Sequence, residues 1–324
     1  MVKGAWIQLS KKDFDELLKR YNIGKYKKKE HADWALGNTV YFFQTTRGWY
    51  VLKMFEERDT DFLKFEVKTM EYIEKKGIPG AKIIKNKKGG SLTLFKEKYS
   101  LIQKYVDGKA PTKKFTRKLV KDMAKNIALM DKYLMRLKMT GKHAWKKNYQ
   151  FMPASKWHKG NIEMIKGIDF RYHEKKLVED MKKIKKSKLR RSFIHSDICG
   201  SNYVTKNDKL VAFVDWDDLH EDYLMYEVAV FIGHAFVGRG EINVNQLKFF
   251  LKEYQEYFKF NEEEKKACYY FVLYRYLSGA AWLSKHAKRH GNNNNKEVKV
   301  GINYMVNAYK TLRKVQIKEF ISWF

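Results

Sequence analysis

The chain has 324 residues, 44% hydrophobic and 15% aromatic, enough to bury a substantial core and better suited to one bilobal unit than to two independent domains. Its 67 basic residues against 37 acids give a formal charge of +30, but only 12 of the 67 are arginine and the lysines are spread along the whole chain. Nucleic-acid binding is therefore disfavoured, because lysines neutralise phosphates without reading bases and no arginine or glycine–aromatic RNA-binding signature accompanies them.

From the amino terminus, Met-Val-Lys-Gly-Ala-Trp is not followed by an apolar signal segment, and no later run approaches a membrane span. Ser10-Lys-Lys-Asp13 opens an amphipathic helix through a capping-box pattern. Ala35 to Thr39 separates two strand-like runs. Its Gly37-Asn38 centre suits a plain hairpin as well as a turn that covers phosphates with backbone N–H groups, so Gly37 is a loose candidate. Residues 49 to 54, Trp-Tyr-Val-Leu-Lys-Met, read as a strand with Lys53 embedded, either a solvent-facing alternation residue or a cation delivered to a site. The helix from Asp61 to Lys76 carries Phe62, Phe65, Met70 and Ile73 near helical spacing and stops at Gly77, with Pro79 beyond. Glu66 lies one turn in, 13 residues after Lys53. Glu71 and Glu74 read as solvated charges on the same helix.

Beyond a strand ending in Asp107-Gly108, Phe115 to Leu137 shows a helical face at Leu119, Met123, Ile127, Met130 and Leu134. Residues 141 to 191 form an insert. Then comes the most informative stretch, residues 193 to 218. Phe193-Ile194 leads into His195-Ser196-Asp197, Asn202 opens a strand, and Asn207-Asp208 suit a turn. A second apolar strand, Leu210 to Val214, delivers Asp215. A carboxylate at the tip of so apolar a strand wants a partner, and a metal ion is a good one. Phosphoryl transfer from a Mg-nucleotide uses this set: one carboxylate to orient the attacking hydroxyl and two oxygen ligands for hard Mg ions. It also uses a strand lysine held by a helix glutamate, the pattern that Lys53 and Glu66 present.

Asp215 to Asp222 is a local acidic island, read either as a solvated loop or as a receiver for an ammonium group, with Trp216 or Tyr223 as a cation–π wall. Helices follow over Val244 to Tyr257, Glu262 to His286 and Lys296 to Phe320. Asn292 to Asn295 reads as a loop tip. Tyr269, Tyr270, Phe271, Tyr274, Tyr276 and Trp282 read as core. Cys199 and Cys268 fit neither a zinc nor a disulfide pattern, so a reducing, cytoplasmic setting is the simplest reading, with Cys199 a candidate for oxidation beside the site.

The pieces YVLKM, FEVKTMEYIEKKGIP, SLIQKYVDG, HSDICGSN and FVDWDD, in that order, resemble the aminoglycoside phosphotransferase and choline kinase superfamily, the small-molecule branch of the protein-kinase fold. The resemblance runs from about residue 30 to about residue 235. It implies an α+β, bilobal protein-kinase-like fold: a small antiparallel-sheet lobe at 1–102, a hinge at 103–109, and a larger, mainly helical lobe at 110–324. It implies that Asp197 is the catalytic carboxylate and that Asn202 and Asp215 are the Mg ligands. Lys53 would contact the α/β-phosphates with Glu66 as its orienter, and Gln103 to Tyr105 would offer backbone groups to the adenine edge. His195 and Glu227 would support the catalytic loop.

The implied cofactors are ATP, or GTP in its place, with Mg, and the implied partner is a small hydroxyl-bearing substrate bound partly by the insert. Two departures stand out. Ser196 replaces a glycine usual in the superfamily, tolerable unless the backbone takes φ > 0. Glu227 replaces an aspartate, one methylene shorter, that ties down the catalytic loop. The expected activity is phosphoryl transfer to an amino alcohol, a homoserine-like compound or a sugar-like compound. The alternative is a non-catalytic kinase-like binder resembling spore-coat relatives. A protein kinase is disfavoured, since no Ala-Pro-Glu segment follows Asp215.

Overall fold

A computed structural model describes residues 7–32, 37–56, 59–111, 115–138, 149–238, 240–289 and 296–324. The expectations for residues 1–6, for Ala35-Leu36, for 141–148 and for Asn292 to Asn295 lie outside the described residues. The chain divides into two compact units, residues 1–108 with 211–214, and residues 109–210 with 215–324.

In the first unit, α1 (Lys11–Leu18) starts at a reciprocal cap: Asp13 N donates to Ser10 Oγ at 3.2 Å and Ser10 N donates to Asp13 Oδ2 at 2.6 Å. Strands β1 (Tyr26–His31), β2 (Thr39–Thr45), β3 (Gly48–Met54), β4 (Leu92–Phe95) and β5 (Lys98–Lys104) form an antiparallel sheet in the order β1-β2-β3-β5-β4. Strand alternation sends successive side chains to opposite faces. One face buries Tyr41, Phe43, Leu52, Met54 and Ile102 against Phe14, Leu17 and Leu18 of α1. The other packs Leu101 and Phe55 with Leu63 and Val67 of α2 (Thr60–Lys75). Strand β1, Tyr-Lys-Lys-Lys-Glu-His, lies in the strand-like run expected before Ala35, though its lysines give no apolar alternation. At the sheet edge its charges serve a purpose, since they discourage pairing with another chain. Residues 211–214 group with this unit, Phe213 N donating to Pro79 O at 2.9 Å.

The second unit is built from α3 (Arg117–Leu134), α4 (Ala154–His158), α5 (Phe170–Met181), the strands β6 (Arg191–Ile194), β7 (Tyr203–Lys206), the start of β8 (Lys209–Phe213), whose residues 211–213 group with the first unit, and β9 (His220–Tyr223), then α6 (Leu224–Phe236), α7 (Val244–Gln255), α8 (Glu262–Arg289), α9 (Lys296–Arg313) and α10 (Ile317–Ile321). The expected face of α3 is wholly buried. Between β7 and β8, Asn207 and Asp208 both take positive φ, 53° and 58°, the twist a two-residue hairpin turn prefers. The single helix expected over Lys296 to Phe320 is broken. Tyr269 Oη donates to Val315 O at 2.9 Å, and the chain turns there so that α10 buries Phe320. Tyr269, Phe271, Tyr274 and Tyr276 are core, as expected, but Trp282 is 37% exposed. Among the described residues no helix is long and apolar enough to cross a membrane.

Candidate active site

Strand β6 pairs with β9, Ile194 opposite His220, and its end delivers His195, Ser196 and Asp197. His195 is fully buried with its ring 4.7 Å from that of Trp216. Ser196 sits at φ +64°, where glycine would be unstrained and serine is not. Two hydrogen bonds offset that cost: Ser196 Oγ donates to Asp218 O at 2.9 Å, and Ser196 N donates to Glu227 Oε2 at 2.5 Å. Glu227, at the start of α6, is therefore long enough to reach the loop. Asp215 is a second non-glycine residue in the left-handed region, at φ +61° and ψ 69°. Strain of this kind gathers at functional sites because the surroundings must enforce it.

Asp197 is held from both sides. Asn202 Nδ2 donates to its Oδ2 at 2.6 Å and to its backbone carbonyl at 3.1 Å. Cys199 Sγ donates to Oδ1 at 3.0 Å, and Arg275 Nη2, from α8, bonds the same oxygen. A carboxylate offers about four lone-pair positions, so three side-chain donors leave room for one hydroxyl. The carboxylate and the guanidinium are each 24% exposed, open enough for an acceptor to reach.

The donor set fits a hard cation. With Nδ2 of Asn202 committed to Asp197, its Oδ1 is the atom left to ligate, and Asp215 adds an exposed carboxylate on the same hairpin. Among the described residues no cluster of three or more His, Cys, Asp or Glu forms a protein-only metal cage. Mg in nucleotide sites takes one or two protein oxygens and completes its shell from phosphates and water.

Behind the loop lies a buried acid pair. Asp131 of α3 accepts from Tyr254 Oη at 2.6 Å, and burial pushes its carboxyl up to about 8. Burial, then the neighbouring Asp131, pushes Glu227 the same way. Asp131 Oδ1 and Glu227 Oε1 are both buried without a hydrogen-bond partner. The sign follows from linkage. Between the unfolded value near 4 and the folded value of about 8, the unfolded chain releases a proton that the folded chain keeps, so stability falls as pH rises through that window. Asp131→Asn, which still accepts from Tyr254, should gain melting temperature relative to wild type from pH 5 to pH 8. A pH-independent difference between the two melting curves would count against this.

The thiol of Cys199 is pushed up to about 12, first by burial and then by the charge of Asp197. The expectation of an oxidation-prone cysteine is thereby reversed, because the thiolate is the reactive form. Iodoacetamide at pH 8 should label Cys199 far more slowly than an exposed cysteine; rapid labelling seen by mass spectrometry would contradict it.

Two acids of the island and both candidate wall rings are tied into the fold, while Asp215 and Asp218 remain exposed. Asp222 is buried and accepts from Gln150 Nε2 at 2.6 Å, Tyr223 N at 2.7 Å and His220 Nε2 at 3.1 Å. Glu221 pairs with Arg191 at 3.1 Å. Trp216 and Tyr223 are both buried, so neither offers an open ring face.

In the first unit, Lys53 is buried on β3, opposite Val40 and Leu101, with its ammonium 5.4 Å from the Phe55 ring centre. It is not a solvent-facing alternation residue. Glu66 lies on the buried face of α2. Gln103 Nε2 donates to Ala81 O at 3.0 Å, and the backbone N–H groups of Lys104 and Tyr105 donate to Lys82 O and Trp49 O. The backbone N–H groups of Lys104 and Tyr105 are thus already engaged. Gly37 is exposed, has no positive φ, and would leave an added Cβ in open space, so nothing local requires glycine there.

Sequence reasoning missed Arg275, Asp131 and His234. The imidazole of His234 is pushed down to about 4 by burial and then by Arg275, and its Nδ1 accepts from Gly200 N at 3.5 Å, tying down the loop after Asp197. None of the three belongs to a local motif.

An antiparallel-sheet unit with a buried strand lysine, followed by a helical unit with an Asp–Asn–Asp hairpin, is the architecture of the protein-kinase-like small-molecule phosphotransferases. The chain belongs to the phosphotransferase enzyme family, whose model matches residues 33–268. It is 22% identical to a homoserine kinase of Methylobacillus flagellatus over 281 residues, 86% of this chain and 85% of that one. Among solved structures it resembles a microcompartment-associated aminopropanol kinase (TM-score 0.75, 11% identity, 96% and 98% of the two chains covered). It also resembles an amicoumacin kinase in complex with AMP-PNP and Ca2+ (TM-score 0.72, 14% identity, 95% and 96% covered). These structural likenesses establish the fold.

Proposed function

We propose that this phosphotransferase moves the γ-phosphate of Mg-ATP to the primary hydroxyl of a small, homoserine-like acceptor. The observation that carries the reading is the carboxylate of Asp197, held on both oxygens and partly open, with one lone-pair position left for a hydroxyl. The homoserine kinase relative, similar over nearly the whole of both chains, supports the acceptor class. The AMP-PNP and Ca2+ of the amicoumacin kinase complex support nucleotide and divalent cation.

In this reading Asp197 accepts a hydrogen bond from the acceptor hydroxyl and orients its oxygen toward phosphorus. As the new O–P bond forms and the bond to the β-phosphate oxygen breaks, the hydroxyl proton passes to Asp197 and ADP departs. Asn202 Oδ1 and Asp215 would hold Mg, which would supply charge neutralisation on the phosphates. Lys53, aimed by Glu66, neutralises the α/β-phosphates. His195 and Glu227 keep the loop rigid, and residues 103–109 join the two lobes and meet the adenine edge. Purified protein should turn over homoserine with Mg-ATP in an ADP-release assay run beside a panel of amino alcohols and sugars. No turnover of any hydroxyl compound with either Mg-ATP or Mg-GTP would overturn the reading.

A further inference from the structure

Ser196 sits between His195 and Asp197, buried and at φ +64°. Glycine would occupy that position without strain, and it would keep the bond to Glu227 Oε2, because the donor there is the backbone N–H. What serine adds is a hydroxyl, and that hydroxyl donates to Asp218 O at 2.9 Å. Asp218 ends the single helical turn Trp216–Asp218, which begins directly after Asp215. Leu219 N closes the turn on Trp216 O at 3.0 Å, and the His195 ring lies against that of Trp216. Two adjacent residues of the loop that presents Asp197 therefore grip both ends of the turn that follows Asp215.

The hydroxyl is not required to satisfy the Asp218 carbonyl, since His220 Nδ1 lies 2.6 Å from the same oxygen. Asp215 itself takes φ +61°, a conformation that its surroundings must enforce. A bond that no buried group needs, made by a residue whose backbone is strained, has a purpose if it fixes one loop against the other. We propose that Ser196 is a positioning residue whose hydroxyl couples the loop of Asp197 to the turn after Asp215, so that the hydroxyl-orienting carboxylate and the assigned Mg ligand keep one fixed relation. This role rests on the phosphotransferase reading of Asp197 and Asp215.

Two variants of the full chain remove the hydroxyl and differ in strain: Ser196→Gly is unstrained at this φ, and Ser196→Ala is not. The glycine variant should melt above the alanine variant by roughly 2–4 °C. In both, hydrogen exchange over residues 215–220, followed by mass spectrometry, should quicken by roughly 5-fold relative to wild type, the equilibrium factor of one hydrogen bond. In both, kcat for homoserine, or for whichever hydroxyl compound wild type turns over, should fall by roughly 10-fold or more, the cost of slightly misplaced reacting groups. The Mg concentration that gives half of the ATP-dependent melting shift should rise by roughly 10-fold, the scale for removing an outer support of a metal ligand.

A glycine variant with the kcat and Mg requirement of wild type, beside an impaired alanine variant, would overturn the role, since activity would then follow strain alone. So would exchange over residues 215–220 that neither variant quickens. If wild type phosphorylates no hydroxyl compound, but both variants quicken exchange and raise the Mg requirement of the melting shift, the coupling stands and the phosphotransfer reading falls. If neither Mg-ATP nor Mg-GTP raises the melting temperature of wild type, the reading and the positioning role fall together. Should alanine prevent folding, the glycine variant carries the test, with its exchange and Mg requirement compared directly with those of wild type.

Discussion

Asp197→Ala should lower kcat by roughly 100- to 10,000-fold, the range for removing a group that positions and deprotonates a nucleophile. The Kd for Mg-ATP, measured by calorimetry, should stay within a few-fold, because the side chain removed is not one of the assigned metal ligands. The asparagine variant is expected to be worse in one respect. Oδ1 of Asp197 faces Arg275 and Cys199, and Oδ2 faces the amide nitrogen of Asn202. An amide keeps an oxygen on only one side, so Asp197→Asn sets two donors against each other or makes Asn202 turn over. Turning Asn202 withdraws Oδ1 from the metal position. Asp197→Asn should therefore lose nucleotide affinity as well as turnover, while Asp197→Ala loses turnover alone. Undiminished kcat in either variant would sink the assignment.

Lys53→Ala and Glu66→Ala should each lower kcat/KM by roughly 10- to 1,000-fold, the scale of lost electrostatic positioning. The double variant should be far less than multiplicative, since residues that act as one unit are lost together. Burial sharpens the expectation, because a lysine this deep on β3 and a glutamate on the buried face of α2 are costly unless they serve a site. Melting curves taken alongside separate lost stability from lost chemistry. Wild type should melt higher with saturating Mg-ATP, because ligand bound to the folded state stabilises it. Independent, multiplicative losses would break the pairing of Lys53 with Glu66. A melting temperature unmoved by Mg-ATP and by Mg-GTP would favour the kinase-like binder instead.

Several features were legible in the sequence because the signals that specify them are local. The Ser10–Asp13 cap, the buried face of α3, the Asn207-Asp208 turn and the stop of α2 at Gly77 each depend on neighbours within a turn or two of chain. The order of lysine strand, glutamate helix and Asp–Asn–Asp hairpin was legible for a related reason: residue type and spacing suffice to state it. The run before Ala35 was legible as strand-like, but the bounds of β1 were not, because an edge strand takes its lysines from the need to stay unpaired, which leaves no apolar alternation to read. The break before α10 was hidden, since it depends on the hydroxyl of Tyr269, 46 residues away.

What only the tertiary structure decided is the chemistry around Asp197. Arg275 is 78 residues away along the chain, inside a helix whose aromatic run reads as core, and only packing brings its guanidinium to the carboxylate. The same packing buries Asp222, Trp216 and Tyr223, turning part of the acidic island into structural support. It also puts Asp131 near Glu227 and raises both carboxyls, though each looks like an ordinary charged residue in the sequence. A local pattern reports which groups a strand or turn presents. The sign of the field those groups feel depends on burial and on partners distant in the chain, and these exist only once the helices have packed.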